Sequence, residues 1–366
     1  MLKGLFLVGT NQYGVGTRFV TDIVQDAALL GVHTELLDLA NQASIQHHLQ
    51  AKTDPDNFDF ILSFNGVGLE FNLEGKSLAA FTAEKPFFVF LVDHPLHLLE
   101  RFLGLKVILL CVSEEHVSFA KACGFTAFLF RHAVSSALCT GEDAFCHYEQ
   151  KSGILFPASY IDTAQLQQQL QPVWSSVGHL IAQSSSVTDF MGLLGVIPYK
   201  GKAATVQLNQ DVLAVTRLVD FYLRGQAREN LLARFQQAQI SLTVVGRDVQ
   251  KYHPHFALHQ YQEQRSFTDL LAQIAAAKFI AHHTPGFQHG LHERIVYPMA
   301  LGTLIIAEEP LSTVFGAEYY DVDIGNHSLI DQAYYQQLQA QNFRLVLQHS
   351  WQVQLSALFS AVGLKR

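Results

Sequence analysis

The run GLFLVGT at residues 4–10 is apolar on both faces of any strand it could form, which suits a sheet covered by helices on each side. RFVTDIVQDAALLGV (18–32) then carries apolar residues at helical spacing. HTELLDL, FDFILSFNG, PFFVFLVDH, VILLCVSE and AFLFRHAV follow as further strands with helical or polar stretches between them. This alternation predicts a doubly wound α/β domain. KSGILFPASYID (151–162) reads as its last strand or as the first segment leaving it, and the first domain is drawn as 1–162.

The pattern then changes. Residues 163–235 are rich in Gln and Leu at helical spacing, broken by the loop GVIPYKGKAA (195–204), and read as a helical connecting segment. From 236 to 349 the α/β pattern returns. ISLTVVGRD is a strand, FALHQYQ a weaker one, SFTDLLAQIAAA a helix with Ser266 as N-cap, and KFIAHHT and GTLIIAEE are strands. SWQVQLSALFSAVGL (350–364) is an amphipathic closing helix, expected to pack back on the first domain or to cap the second. Two Rossmann-like domains with a helical segment between them are therefore expected.

Composition narrows the function. The chain has 366 residues, enough for two domains, with 49% hydrophobic and 15% charged residues. A net charge of -8 argues against a nucleic-acid partner, which needs a concentrated basic face. No run approaches the roughly 18 apolar residues that span a bilayer, and no secretory signal is legible. Cys111, Cys123, Cys139 and Cys146 form no CxxC pair, so free thiols and a cytoplasmic location are expected.

Candidate chemistry concentrates in HHTPGFQHGLHERIVYPMALGTLIIAEE (282–309). His282, His283, His289 and His292 invite a metal reading, but no HExxH spacing is present. A glycine-bearing loop between a buried strand and a helix start suits an anion instead, because the first N–H groups of a helix are unpaired and its dipole favours negative charge. Gly286 and Gly290 would let the backbone approach a diphosphate, with His292 and Arg294 adding donors. On spacing alone an ordinary strand-loop-helix turn remains equally open.

The run from Pro285 to Glu309 resembles the nucleotide-sugar motif of GT-B glycosyltransferases, and is similar to the CgeB-like group in particular. The features that carry this are Gly290, Leu291, His292, Arg294, Met299, Ala300, Gly302 and the apolar strand 304–307. Tyr222, Arg224 and Arg228 in DFYLRGQAREN, and VVGRD after them, sit where such proteins carry a helix and the next strand end. The resemblance implies GT-B architecture and metal-independent, retaining transfer of a sugar, hexosyl in type, from a nucleotide diphosphate to an acceptor hydroxyl. It points to a UDP-sugar among the donors, no other cofactor, and a glycan, lipid or protein acceptor. It places the diphosphate against Gly246, Arg247, Gly286, Phe287, Gly290, Leu291, His292 and Arg294. One position departs: such enzymes often carry a ribose-binding Glu two residues before the Met, and here Tyr297 stands there, followed by Pro298. Tyr297, Glu308 and Glu309 are then the candidates for the ribose or base. A GT-B epimerase and an inert binding protein are the alternatives.

The facing domain supplies its own candidates. GTNQYGVGTRF (9–19) is a loop with Asn11, Gly14 and Gly16 on the acceptor side, and its glycines do not fit GxGxxG. Asp93 and His94 follow the strand PFFVFLV, and His132 follows FLFR, all three as candidate catalytic groups on an acceptor hydroxyl. Asp93 has an equally open structural reading as a helix cap. The triplets Asp54-Pro55-Asp56 and Asp321-Val322-Asp323 are taken as coincidental, and no metal is expected.

Overall fold

A computed structural model describes residues 1–138, 148–264, 266–284 and 290–364. The chain opens with β1 (Lys3–Val8), α1 (Val15–Leu29), β2 (His33–Asp38), α2 (Gln42–Gln50) and β3 (Phe60–Phe64). A hairpin of β4 (Asn72–Leu73) and β5 (Lys76–Ser77) and the single turn α3 (Leu78–Phe81) follow. Then come β6 (Phe87–Leu91), β7 (Ile108–Cys111), α4 (Glu114–Ala122) and β8 (Thr126–Leu129). Six of these strands form one sheet in the order β2-β1-β3-β6-β7-β8, with every pair parallel. β3 and β6 are buried at every position, which is why their sequences are apolar without alternation.

β9 (Ile154–Pro157) leads into α5 (Thr163–Leu170), α6 (Trp174–Ile181), α7 (Val187–Leu194) and the long α8 (Gln210–Gln237). β10 (Thr243–Val245), β11 (Gln260–Gln262), α9 (Phe267–Ala276), β12 (Phe279–His282), α10 (Glu293–Ala300) and β13 (Leu304–Ala307) follow. α11 (Ser312–Phe315), α12 (Gln332–Leu347) and α13 (Trp351–Ala361) close the chain. The second sheet has the order β11-β10-β9-β12-β13, again all parallel.

The strand β9 corrects the boundary at 162. It pairs with β10 and β12 in the middle of the second sheet, so the first sheet ends at β8. An apolar run buried at every position is compatible with the centre of either sheet, and its sequence does not say which.

Three connections fix how the two sheets face each other. α8 begins against the first domain, where Arg217 Nε donates to the Leu96 carbonyl at 3.0 Å. It ends in the second, where Leu231, Leu232 and Phe235 join the core around β9 and β10. α13 returns to the first domain: Trp351 lies 5.5 Å from Phe90 and 5.6 Å from Phe130, and the Gln352 N–H donates to the buried Asp26 carboxylate at 3.0 Å. α1 meets α10 directly, with Phe19 stacked on Tyr297 at 6.0 Å and set edge-on to Phe267 at 5.9 Å. The Tyr297 hydroxyl completes this contact by donating to Asp22 at 3.1 Å.

Candidate functional site

In parallel sheets covered by helices, ligands collect at the carboxyl ends of the strands. Here those ends carry Asp93 and His94 after β6 and Arg131 and His132 after β8. In the second sheet they carry Ser159 after β9, Gly246 after β10, His282 and His283 at the end of β12 and Glu308 after β13. α8 crosses between the two sets, and its residues Asp220, Arg224 and Arg228 are spaced i, i+4, i+8, which puts them on one face.

Three guanidinium groups converge there. Arg224 clasps the fully buried Asp220 at 3.0 and 2.9 Å and reaches Asp93 of the first domain at 3.4 Å. Arg228 donates through Nη1 to the Ser159 carbonyl, and its buried Nε makes no well-formed hydrogen bond among the described residues. Arg294 donates to the Pro157 carbonyl at 3.1 Å and to His292 Nδ1 at 3.3 Å. Burial pushes Arg228 down to about 10, the charges of Arg294 and Arg224 push the same way, and the Tyr252 hydroxyl opposes them. Burial also lowers Arg294, with Glu293 opposing and Arg224 adding to the fall. Burial works against the charge of Arg224 as well, but Asp220 and Asp93 outweigh it and hold Arg224 above its ordinary value. Asp220 and Asp93 thus balance Arg224, whereas Arg228 is a desolvated cation with no ion pair to a carboxylate among the described residues, which suits an anionic ligand.

The residues expected to flank a diphosphate fall into different places. Gly286 and Phe287 lie outside the described residues, as does His289. Gly290 is half-buried just before α10. Leu291 is fully buried in the core, so it packs and does not line a site. His292 is the N-cap of α10, its Nδ1 accepting from the Arg294 N–H at 3.2 Å, so its ring orders the helix start. Burial, then Arg294, hold its pKa well below the ordinary histidine value. Arg294 contributes charge more than free donors, because its N–H groups are engaged as above. Gly246 is there for packing: a Cβ would fall 2.7 Å from the Ala158 carbonyl of the neighbouring chain segment. The Arg247 side chain is 65% exposed and lies 3.9 Å from Asp248, at the rim.

Tyr297 is corrected most clearly. Its ring is 1% exposed between Phe19 and Phe267 and its hydroxyl is taken by Asp22, so it joins the domains and is not free to read a ribose. α10 also runs through Pro298 as one helix. Glu308 is half-buried and paired with Arg234 at 3.1 Å, with burial raising its pKa against that pairing, and Glu309 is exposed.

On the first domain, His94 is fully buried and serves as a cap, its Nδ1 accepting from the Leu96 N–H at 3.2 Å while its ring packs 4.8 Å from Phe119. A general-base role does not fit a ring closed off from any substrate. Asp93, whose capping role His94 takes, is exposed and turned toward Arg224. His132 is buried against Phe19 at 5.4 Å, with the Glu293 carboxylate of the other domain 3.6 Å from its Nε2, so it lies in the domain contact. Asn11 staples its own loop, donating to Thr17 Oγ1 at 2.9 Å and accepting from the Gly16 N–H at 2.8 Å. Gly14 has φ 75°, a left-handed turn that opens α1, and a Cβ on Gly16 would fall 2.6 Å from the Phe64 ring. Both glycines are therefore explained by the backbone. Among the described residues no group of three or more His, Cys, Asp or Glu side chains is arranged to hold a metal.

Solved structures share this architecture over almost the whole chain. An α-glucosyltransferase with UDP and a 13-mer DNA containing a HMU base (2.8 Å) aligns with a TM-score of 0.60 at 10% identity, covering 99% of this chain and 100% of that one. An α-glucosyltransferase in complex with UDP aligns at 0.58 and 9% identity, covering 99% and 100%. A third, with UDP-glucose and DNA containing an abasic site, aligns at 0.55 and 9% identity, covering 99% of each chain. The fold is GT-B. No family model and no curated protein matches the sequence. At these identities the likeness fixes the GT-B architecture, two Rossmann-like domains about a cleft, and leaves the chemistry to the residues.

Asp220, Arg224 and Arg228 are not assigned to the site from sequence, although the GT-B resemblance runs through them. Their signal was a row of charges at i, i+4, i+8 in a helix whose other positions, such as Leu213, Val219 and Leu231, are buried. A charged row usually marks a solvated face, and only the position of α8 between two sheets turns it inward.

Proposed function

We propose that this chain is a glycosyltransferase moving a sugar from a nucleotide-diphosphate donor to an acceptor hydroxyl. The observation that carries the reading is the convergence of Arg224, Arg228 and Arg294 at the strand ends of the second sheet, with Arg228 Nε buried beside the Tyr252 hydroxyl and without a well-formed hydrogen bond among the described residues. When the bond between the anomeric carbon and the diphosphate breaks, negative charge gathers on the leaving diphosphate. Fixed guanidinium groups in a partly desolvated cleft stabilise that charge without reorganising. Side chains then do what a divalent cation does elsewhere, so the transfer is metal-independent in this reading. UDP is the first nucleotide to try, since the structural neighbours are complexes with UDP or UDP-glucose.

The resemblance to the CgeB-like group adds retention of configuration and a hexose donor to the proposal, tested by the anomer formed in an NMR-followed reaction. The acceptor is taken as a glycan, lipid or protein. The DNA in two of the neighbouring complexes belongs to those proteins, whereas this chain has a net charge of -8. No helix among the described residues is long and apolar enough to cross a membrane. Free Cys111 and Cys123 agree with a reducing, cytoplasmic setting, which is part of the same proposal. The placement of Tyr297 weakens the inert alternative, because the residue that departs from the family pattern has a packing role of its own.

Thermal unfolding against UDP, GDP, dTDP, ADP and CMP tests the reading. A nucleotide at about 100 times its dissociation constant adds roughly 2.7 kcal/mol to stability. A rise with one diphosphate, followed by turnover of its hexose conjugate with an acceptor, is expected. Turnover without acceptor would point to an epimerase, and no rise with any of the five would end the proposal.

A further inference from the structure

Beside the arginine cluster, on the same side of α8, the helix carries a second feature that donor binding does not explain. Phe221 is 43% exposed, a large aromatic side chain left open in mid-helix. A single exposed aromatic is ordinary, so its surroundings decide. Arg217, one turn before it, is bonded to the first domain, and Arg228, two turns after it, to the Ser159 carbonyl of the second, so residues 220–224 sit where α8 passes between the two sheets. The Phe221 ring lies 5.2 Å from the His97 ring and 6.0 Å from the Arg224 guanidinium. His97 is fixed by its Nε2 contact with the buried Asp220 at 2.7 Å, which leaves Nδ1 as its other hydrogen-bonding atom on a side chain still 17% exposed. Asp93, 52% exposed and held by Arg224, completes the patch.

We propose that Phe221, Asp93 and His97 form a subsite for an uncharged, hydroxyl-rich sugar ring, the acceptor in the reading above, on which this assignment of its role rests. A pyranose has one face of C–H groups and a rim of hydroxyls. The ring of Phe221 offers an apolar platform to the first. The Asp93 carboxylate and His97 Nδ1 accept from the second, and Arg224 joins this patch to the donor cluster. Arg224, the cation touching this patch, is already paired with Asp220 and Asp93, which favours a neutral saccharide over a nucleic acid here.

Saturation-transfer NMR with the methyl glycosides of glucose, galactose, mannose and N-acetylglucosamine, added to the full chain without nucleotide, tests this directly. At least one glycoside gives transfer in the wild type. Its affinity falls about tenfold in Phe221→Ala, the scale of one lost aromatic contact, and is kept in Phe221→Tyr, which retains the ring. Phe221 is surface-exposed, so circular dichroism of both variants matches the wild type. No transfer from any of the four, or equal transfer in Phe221→Ala, overturns the proposal, as does tighter binding of a dT12 oligonucleotide at the same ring. Nucleotide binding is measured separately. Glycoside binding without nucleotide binding would retain the subsite and remove the glycosyltransferase reading, and the reverse would retain the reading and remove the subsite.

Discussion

Arg228 reaches the Ser159 carbonyl through Nη1, and its buried Nε, beside the Tyr252 hydroxyl, makes no well-formed hydrogen bond among the described residues, which leaves it a donor to offer a ligand. Replacing it with Met keeps the stem and removes the charge. The expected loss is about 1.5–3 kcal/mol in diphosphate binding, roughly tenfold to a hundredfold, read by calorimetry. Tyr297→Phe makes the opposite test. Its lost bond to Asp22 should lower stability by about 1 kcal/mol in denaturant unfolding and leave nucleotide affinity unchanged, because the ring stands between the domains. Arg294 was legible from the sequence as a first-turn cation able to donate to a diphosphate, but its bond to the Pro157 carbonyl was not. That contact joins residues 137 positions apart, and no local pattern encodes it.

At the scale of elements, most strands and helices could be read because their apolar runs have no polar alternation and their caps are explicit. Ser266 accepts from the Asp269 N–H at 3.0 Å, as its place before an apolar helix suggested. Sheet membership was not legible for β9, since burial on both faces looks alike in either sheet. Its position makes Gly246 a sharp test: Gly246→Ala puts a methyl group against the Ala158 backbone and should cost about 1–3 kcal/mol by denaturant unfolding. α13 is likewise a working part of the first domain. Trp351→Ala removes a fully buried ring from between Phe90 and Phe130, with an expected loss of about 3–5 kcal/mol.

Across the whole molecule, the two domains meet through buried histidines as well as aromatic rings. Burial holds His132, His282, His283 and His292 below the ordinary histidine value, with Arg294 adding to each shift and Glu293 opposing it at His132. In the unfolded chain they titrate near about 6.5, so below that pH the unfolded state binds more protons than the native state. Stability is therefore complete above about pH 6.5 and falls as the pH drops toward about 5, seen as a decreasing Tm; a flat Tm across that range would contradict this burial. Two α/β domains around a helical segment were legible from the apolar pattern, and the GT-B plan came from the resemblance of residues 285–309 to that group's motif. The cleft chemistry was not, because it depends on α8 bringing residues 220–228 between sheets formed by distant parts of the chain.

The central claim is that the arginine cluster holds a diphosphate. Calorimetric titration of the chain with UDP, GDP and dTDP, each beside its own nucleoside, tests it most directly. One diphosphate should bind at least about a hundredfold more tightly than its nucleoside, the difference expected from two or more charge-assisted contacts. That preference should largely vanish in Arg228→Met. Equal affinity for nucleoside and diphosphate, or no binding by any of the three, would contradict the account.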